Sequence, residues 1–155
     1  MPAKWISKDE CEENLENAFY GRLATQGKEG PYIVPVNFAY ENNKIYIHSK
    51  KYGQKIDNIC DHDEVCFEIS EPLELVKDKM PCDYGVRFWS VLAYGKAKIL
   101  EDPKSKLAAA EKIVNKYAEG EPFEKLSEKH MSGIEIISVS VRQMTGKINV
   151  DPDEM

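Results

Sequence analysis

Apolar and polar residues alternate with a period of two from Tyr32 to Tyr40. Tyr32, Val34, Val36, Phe38 and Tyr40 fall on one face, and Ile33, Pro35, Asn37 and Ala39 on the other, the pattern of a strand. Pro35 cannot donate a ladder hydrogen bond, so it marks an edge, a bulge or backbone that faces a ligand. The same reading predicts strands over Tyr20–Thr25, Ile45–Ser49, Val65–Ser70, Val86–Leu100 and Ile134–Val141, with Gly95 as a bend or bulge in the longest. Helical spacing instead governs three segments. Cys11, Leu15, Ala18 and Phe19 follow the capping box Ser7-Lys8-Asp9-Glu10, giving a helix over about 8–18. Ile56, Ile59 and Cys60 give a short helix within 52–60, and Asp102-Pro103 opens a longer one carrying Leu107, Ala110, Ile113, Val114 and Tyr117, stopped by Gly120. A shorter helix is expected over Glu124–Lys129, and a long loop over Glu71–Gly85.

About six strands, hairpin turns and no repeated strand-helix-strand rhythm predict a mainly β fold with peripheral helices, closed into a small antiparallel barrel that removes exposed edges. One domain over 1–148 accounts for all these elements, and 149–155 reads as a loosely ordered acidic tail. The 155 residues, 42% hydrophobic and 31% charged, suffice for a real core. A net charge of −6 disfavours nucleic acid and anionic membrane as partners. Four cysteines without a Cys-x-x-Cys pair, and no signal-like apolar stretch after Met1, predict free thiols, a cytoplasmic setting and no metal site. No apolar run approaches the ~20 residues that a membrane-spanning helix needs.

Chemistry concentrates at His48-Ser49-Lys50-Lys51-Tyr52-Gly53-Gln54-Lys55, where a strand ends, a glycine turn follows and a helix begins. Such a junction offers unpaired N–H groups and a favourable dipole to an anion. With Ser49 as a hydroxyl donor and Lys55 as the countercharge it forms a monophosphate seat, although a solvated lysine-rich turn fits the same residues. His48 points away from Ile47 along its strand; it reads as structural, or as a polar group beside a cofactor ring. Trp89 fits core or interface as readily as a stacking platform. Dinucleotide-binding, nucleophile-elbow and zinc-protease motifs are absent.

The order of Gly21-Arg22-Leu23-Ala24-Thr25, Pro31 to Phe38, Ile45 to Lys55, Val65 to Glu68 and Trp89 to Ala97, ending at Thr145-Gly146-Lys147, resembles the pyridoxamine 5′-phosphate oxidase-like FMN-binding split-barrel family. The likeness is strongest to its nitroimidazole-resistance branch. That resemblance implies a six-stranded split barrel, FMN as cofactor and a homodimer with the cofactor at its interface. Val34, Pro35, Val36 and Asn37 would lie along the flavin ring. His48 and Ser49 would contact the ring or ribityl phosphate, with His48 the catalytic candidate, and Gln54 and Lys55 would hold the phosphate. Ser90 would approach the FMN from the second subunit, and Trp89 is a further cofactor-binding candidate. Oxidase members carry Arg where this chain has Gln54, and resistance proteins often carry Arg where it has Trp89. The C-terminal substrate segment of true oxidases has no match. The implied activity is electron transfer through FMN between a small-molecule donor and a nitroaromatic or quinone-like acceptor. The alternatives are a pyridoxamine 5′-phosphate oxidase-like enzyme or a non-catalytic flavin or haem module. A haem would need His48, His62 or His130 as ligand, and related barrels also take deazaflavin.

Overall fold

The computed structural model describes residues 1–155. In chain order the elements are β1 (Ala3–Trp5), α1 (Lys8–Asn17), β2 (Gly21–Gly27), β3 (Gly30–Val36), β4 (Phe38–Glu41), β5 (Lys44–Ser49), α2 (Gln54–Asp61), β6 (Glu64–Val76), β7 (Gly85–Ile99), α3 (Pro103–Ala118) and β8 (Glu135–Asn149), with short 3-10 turns between some of them. The sheet runs β3-β2-β6-β7-β8-β5-β4, with β1 added on β8, and every pairing is antiparallel. The fold is mainly β with peripheral helices, as the periodicity predicts.

Eight strands form rather than six. One extra is β1, too short to register as alternation. The other arises because the predicted Tyr32–Tyr40 strand breaks at Asn37 into β3 and β4, which occupy opposite ends of the sheet order. Two strands joined by one residue cannot be far apart, so the sheet must curl until its ends meet. The barrel closes covalently through Asn37, without a β3–β4 ladder. Pro35 lies in β3, an edge strand paired only with β2, one of the settings its missing N–H allows.

Alternation then fills the barrel. Leu23, Phe38, Ile45, Ile47, Phe67, Ile69 and Val139 are fully buried in one cluster, joined by Cys11 and Leu15 of α1. The Phe38 and Phe67 rings meet edge to face at 4.7 Å, the arrangement that the ring quadrupoles favour. A second layer lies outside the barrel, where Ala109, Ala110 and Ile113 of α3 pack with Ala39, Met131 and Ile136.

Local chemistry explains the element ends. Ser7 and Glu10 form the predicted reciprocal cap of α1, and Asp102 accepts from the Ser105 N–H to start α3. Asn42 and Asn43 both take positive φ in the β4–β5 turn, a hairpin geometry that asparagine tolerates. Gly95 sits where the β7–β8 register shifts, so the predicted bulge is present. A Cβ there would collide with the Ser140 carbonyl.

Three expectations need correction. The Glu71–Gly85 loop is largely strand: β6 and β7 stay paired to Val76 and Gly85, with a register shift at Pro72/Glu74 accommodating the proline, so the true loop is 77–84. The Glu124–Lys129 helix does not form, and a 3-10 turn covers Glu128–Gly133 instead. The tail is tied down, because Val150 is buried with its N–H on Pro2 and Asp151 pairs with Arg87.

Two predictions follow from the packing. Gly95→Ala should destabilise the protein by about 1–3 kcal/mol, at the upper end because the obstacle is backbone; urea unfolding measures it, and an unchanged midpoint would contradict the close approach. Lys116 of α3 holds its ammonium 3.6 Å from the Phe38 ring centroid, and burial pushes its pKa down to about 8. Between pH ~8 and the ordinary lysine value of ~10.4 the unfolded chain therefore binds more protons at this site. Stability from this residue rises with pH across that window. Lys116→Met should abolish that part of the rise in a pH series of melting temperatures.

Candidate functional site

At the seam where β3 passes into β4 a cleft of about 1000 Å³ opens between the barrel and α2. Pro35, Val36 and Asn37 form one wall. His48 and Ser49, from the end of β5, form the next, and the turn and first residues of α2, including Gly53, Gln54 and Lys55, form the third. Strand period sets the orientation: Ile45, Ile47 and Ser49 turn into the barrel, while His48 turns out.

The α2 wall has positive character. Gly53 precedes the helix at φ +141° with open space around its Cα, so glycine is required there for backbone conformation and not for room. No side chain caps the helix, which leaves its first N–H groups free beside the cleft. Lys55 is half-buried, and burial alone lowers its pKa, with no acidic partner offsetting the cost. A desolvated ammonium beside uncapped N–H groups gains by meeting an anion. Ser49 differs from expectation in detail, since its buried hydroxyl donates to the Lys50 carbonyl at 2.9 Å. It can therefore offer an incoming group its oxygen, not its proton, while that bond holds.

Seven of the ten proposed site residues thus come together: Pro35, Val36, Asn37, His48, Ser49, Gln54 and Lys55. Val34 faces inward, half-buried against the core. Trp89 and Ser90 lie on β7, paired with Ile148 and Lys147 of β8, and do not line the cleft of their own protomer. No residue of the 77–84 loop lines the cleft either. His62 approaches Gln26 and His130 accepts from the Ser127 N–H, both away from this cleft.

Sequence reasoning missed the aromatic rim of Phe19, Tyr20, Tyr32, Tyr52 and Tyr117. Tyr52 at 88% and Phe19 at 72% exposure are conspicuous for such large side chains. Tyr117 has a further task. Its hydroxyl accepts from the Phe38 N–H at 3.1 Å and donates to the Phe19 carbonyl. It therefore satisfies a backbone donor that the broken strand leaves without a ladder partner. The helical spacing placed Tyr117 on the packed face of α3, but no sequence signal links residue 117 to residue 38.

Residues 7–148 match the sequence profile described as pyridoxamine 5′-phosphate oxidase. The chain belongs to that family. A candidate 5-nitroimidazole antibiotic resistance protein from Bacteroides thetaiotaomicron is 31% identical, with a TM-score of 0.80 over 96% of this chain and 89% of its own. The FAD and haem binding protein from Mycobacterium smegmatis superposes with a TM-score of 0.84 over 99% of this chain and 78% of that one, at 12% identity, a likeness of fold alone. An uncharacterized protein of Rhizobium meliloti (strain 1021) is 35% identical over 71 residues, so the match spans 46% of either chain.

Removing the Tyr117 hydroxyl tests the seam. Tyr117→Phe leaves the Phe38 N–H without its acceptor and should cost about 1–3 kcal/mol in urea unfolding; an unchanged stability would show that the bond does not hold β4 in place.

Proposed function

We propose that the protein is an FMN-dependent oxidoreductase that works as a homodimer. The carrying observation is the α2 wall, where a half-buried lysine without an acidic partner stands beside an uncapped helix N-terminus. That wall suits the terminal phosphate of a mononucleotide. The open β3 edge at Pro35–Asn37 then runs along the remaining length of the cleft, where a ring system can lie against backbone.

When bound, a flavin would supply reversible two-electron chemistry between an organic reductant of the reduced-nicotinamide class and an acceptor such as a quinone or nitroaromatic. The chain's own residues bind and orient. Lys55 and the first N–H groups of α2 would hold the phosphate, Gln54 would add a neutral contact, and His48, on the cleft wall, would hydrogen-bond the ring and handle a proton. The Phe19, Tyr20 and Tyr52 side chains shield the mouth from water. A second copy would bring Trp89 and Ser90 to the cleft. Exposed apolar surface next to those residues supports such a contact, since Trp5, 74% exposed, pairs with Lys147, which in turn pairs with Ser90.

Fluorescence titration with riboflavin, FMN and FAD tests the proposal. FMN should bind at one per subunit and more tightly than riboflavin. Lys55→Met should weaken FMN roughly 10- to 100-fold, the worth of a charge-assisted hydrogen bond, and leave riboflavin unchanged. Because the ammonium must be charged, FMN affinity should also fall with rising pH before the ordinary lysine range is reached. Equal binding of FMN and riboflavin, or tighter binding of FAD, would overturn the monophosphate reading.

A further inference from the structure

Beside the cleft lies a second cavity of about 450 Å³, within the ~300–1,000 Å³ usual for small-molecule sites. Its chemistry is different. Nine of its 12 lining residues are hydrophobic, among them Ile113 and Val114 of α3 and Ile136 of β8. The polar exceptions are Asn37, His48 and His130, and no Lys, Arg, Asp or Glu takes part. Asn37, His48 and Tyr117 line both cavities, so the two chambers share a wall at the seam.

We propose that this chamber is the acceptor site and that it takes an uncharged, ring-bearing compound of the quinone class; the assignment rests on the proposed flavin site for its neighbour. An apolar lining without a fixed charge welcomes a neutral ring and charges a phosphorylated substrate the full cost of leaving water. The His48 and His130 imidazoles and the Asn37 amide are the donors available to ring carbonyl oxygens. His130 already accepts from the Ser127 N–H through Nδ1, which orients Nε2 as the free nitrogen. Reduction of a quinone to its hydroquinone takes two electrons and two protons; the nicotinamide-class reductant gives up both electrons and one proton as a hydride, and solvent water supplies the second proton. Pyridoxamine 5′-phosphate, with its dianionic group, is not the substrate of this chamber.

Calorimetric titration of the protein without flavin tests this directly, using 2,3-dimethyl-1,4-naphthoquinone, whose blocked ring carbons cannot add the four free thiols. Val114→Phe fills the chamber without touching the cleft, and should weaken the quinone by about tenfold or more while FMN affinity stays within about twofold. Should that variant fail to fold, Ala118→Leu, at the last turn of α3, occupies the same space. Pyridoxamine 5′-phosphate should bind at least about tenfold more weakly than the quinone. Quinone affinity unchanged in a folded filled variant would overturn the assignment. So would tighter binding of pyridoxamine 5′-phosphate, or haemin uptake with a shifted Soret band that His130→Ala abolishes. Failure of FMN to bind would defeat the flavin reading alone, because the quinone titration needs no flavin.

Discussion

The structure depends on one break in one strand. Val36 and Phe38 both face the barrel interior, so the segment keeps its period of two across Asn37. Yet β3 pairs with β2 while β4 pairs with β5, at the other end of the sheet. Continuity of the chain forces the ring to close, and the change of partner leaves backbone without a ladder exactly where closure occurs. Buried backbone donors must be satisfied, and the Tyr117 hydroxyl does this for Phe38. The seam that closes the barrel is also the line along which it can open to a ligand.

Both chambers follow from that seam. Their contrast in charge is what gives the site direction. A chain of net charge −6 attracts an anion only through local structure, which here is Lys55 with the first turn of α2. The neighbouring chamber has no charged lining. A mononucleotide with an anionic end and a flat ring is the kind of molecule whose two halves suit a charged wall and a broken strand edge, and the proposed acceptor would lie on the far side of Asn37, His48 and Tyr117.

Much of this was legible in the residues. Alternation around Leu23, Ile45, Ile47 and Phe67 marks strands because one face of each is buried, and the Ser7 and Asp102 caps are local chemistry that the sequence states outright. Gly95 announced its bulge for the same reason: a missing side chain matters only where backbone approaches. The break at Asn37 was not legible, since alternation continues through it and only the exchange of partners reveals it. The extension of β6 past Pro72 was hidden by a proline that a register shift absorbs. At the site, the wall made by residues 48–55 was legible because its residues are consecutive. The aromatic rim and the second chamber draw on residues 19, 117 and 130, which only the fold assembles, and Trp89 and Ser90 remain apart from the cleft within one protomer.

The central claim, that the seam holds a mononucleotide flavin, is tested most directly on the purified protein. Its visible absorption spectrum, followed by heat release and mass measurement of any ligand, decides the matter. The account predicts a yellow protein that releases FMN at one per subunit, or a colourless one that takes up FMN to that ratio. A colourless protein that fails to bind added FMN would contradict it.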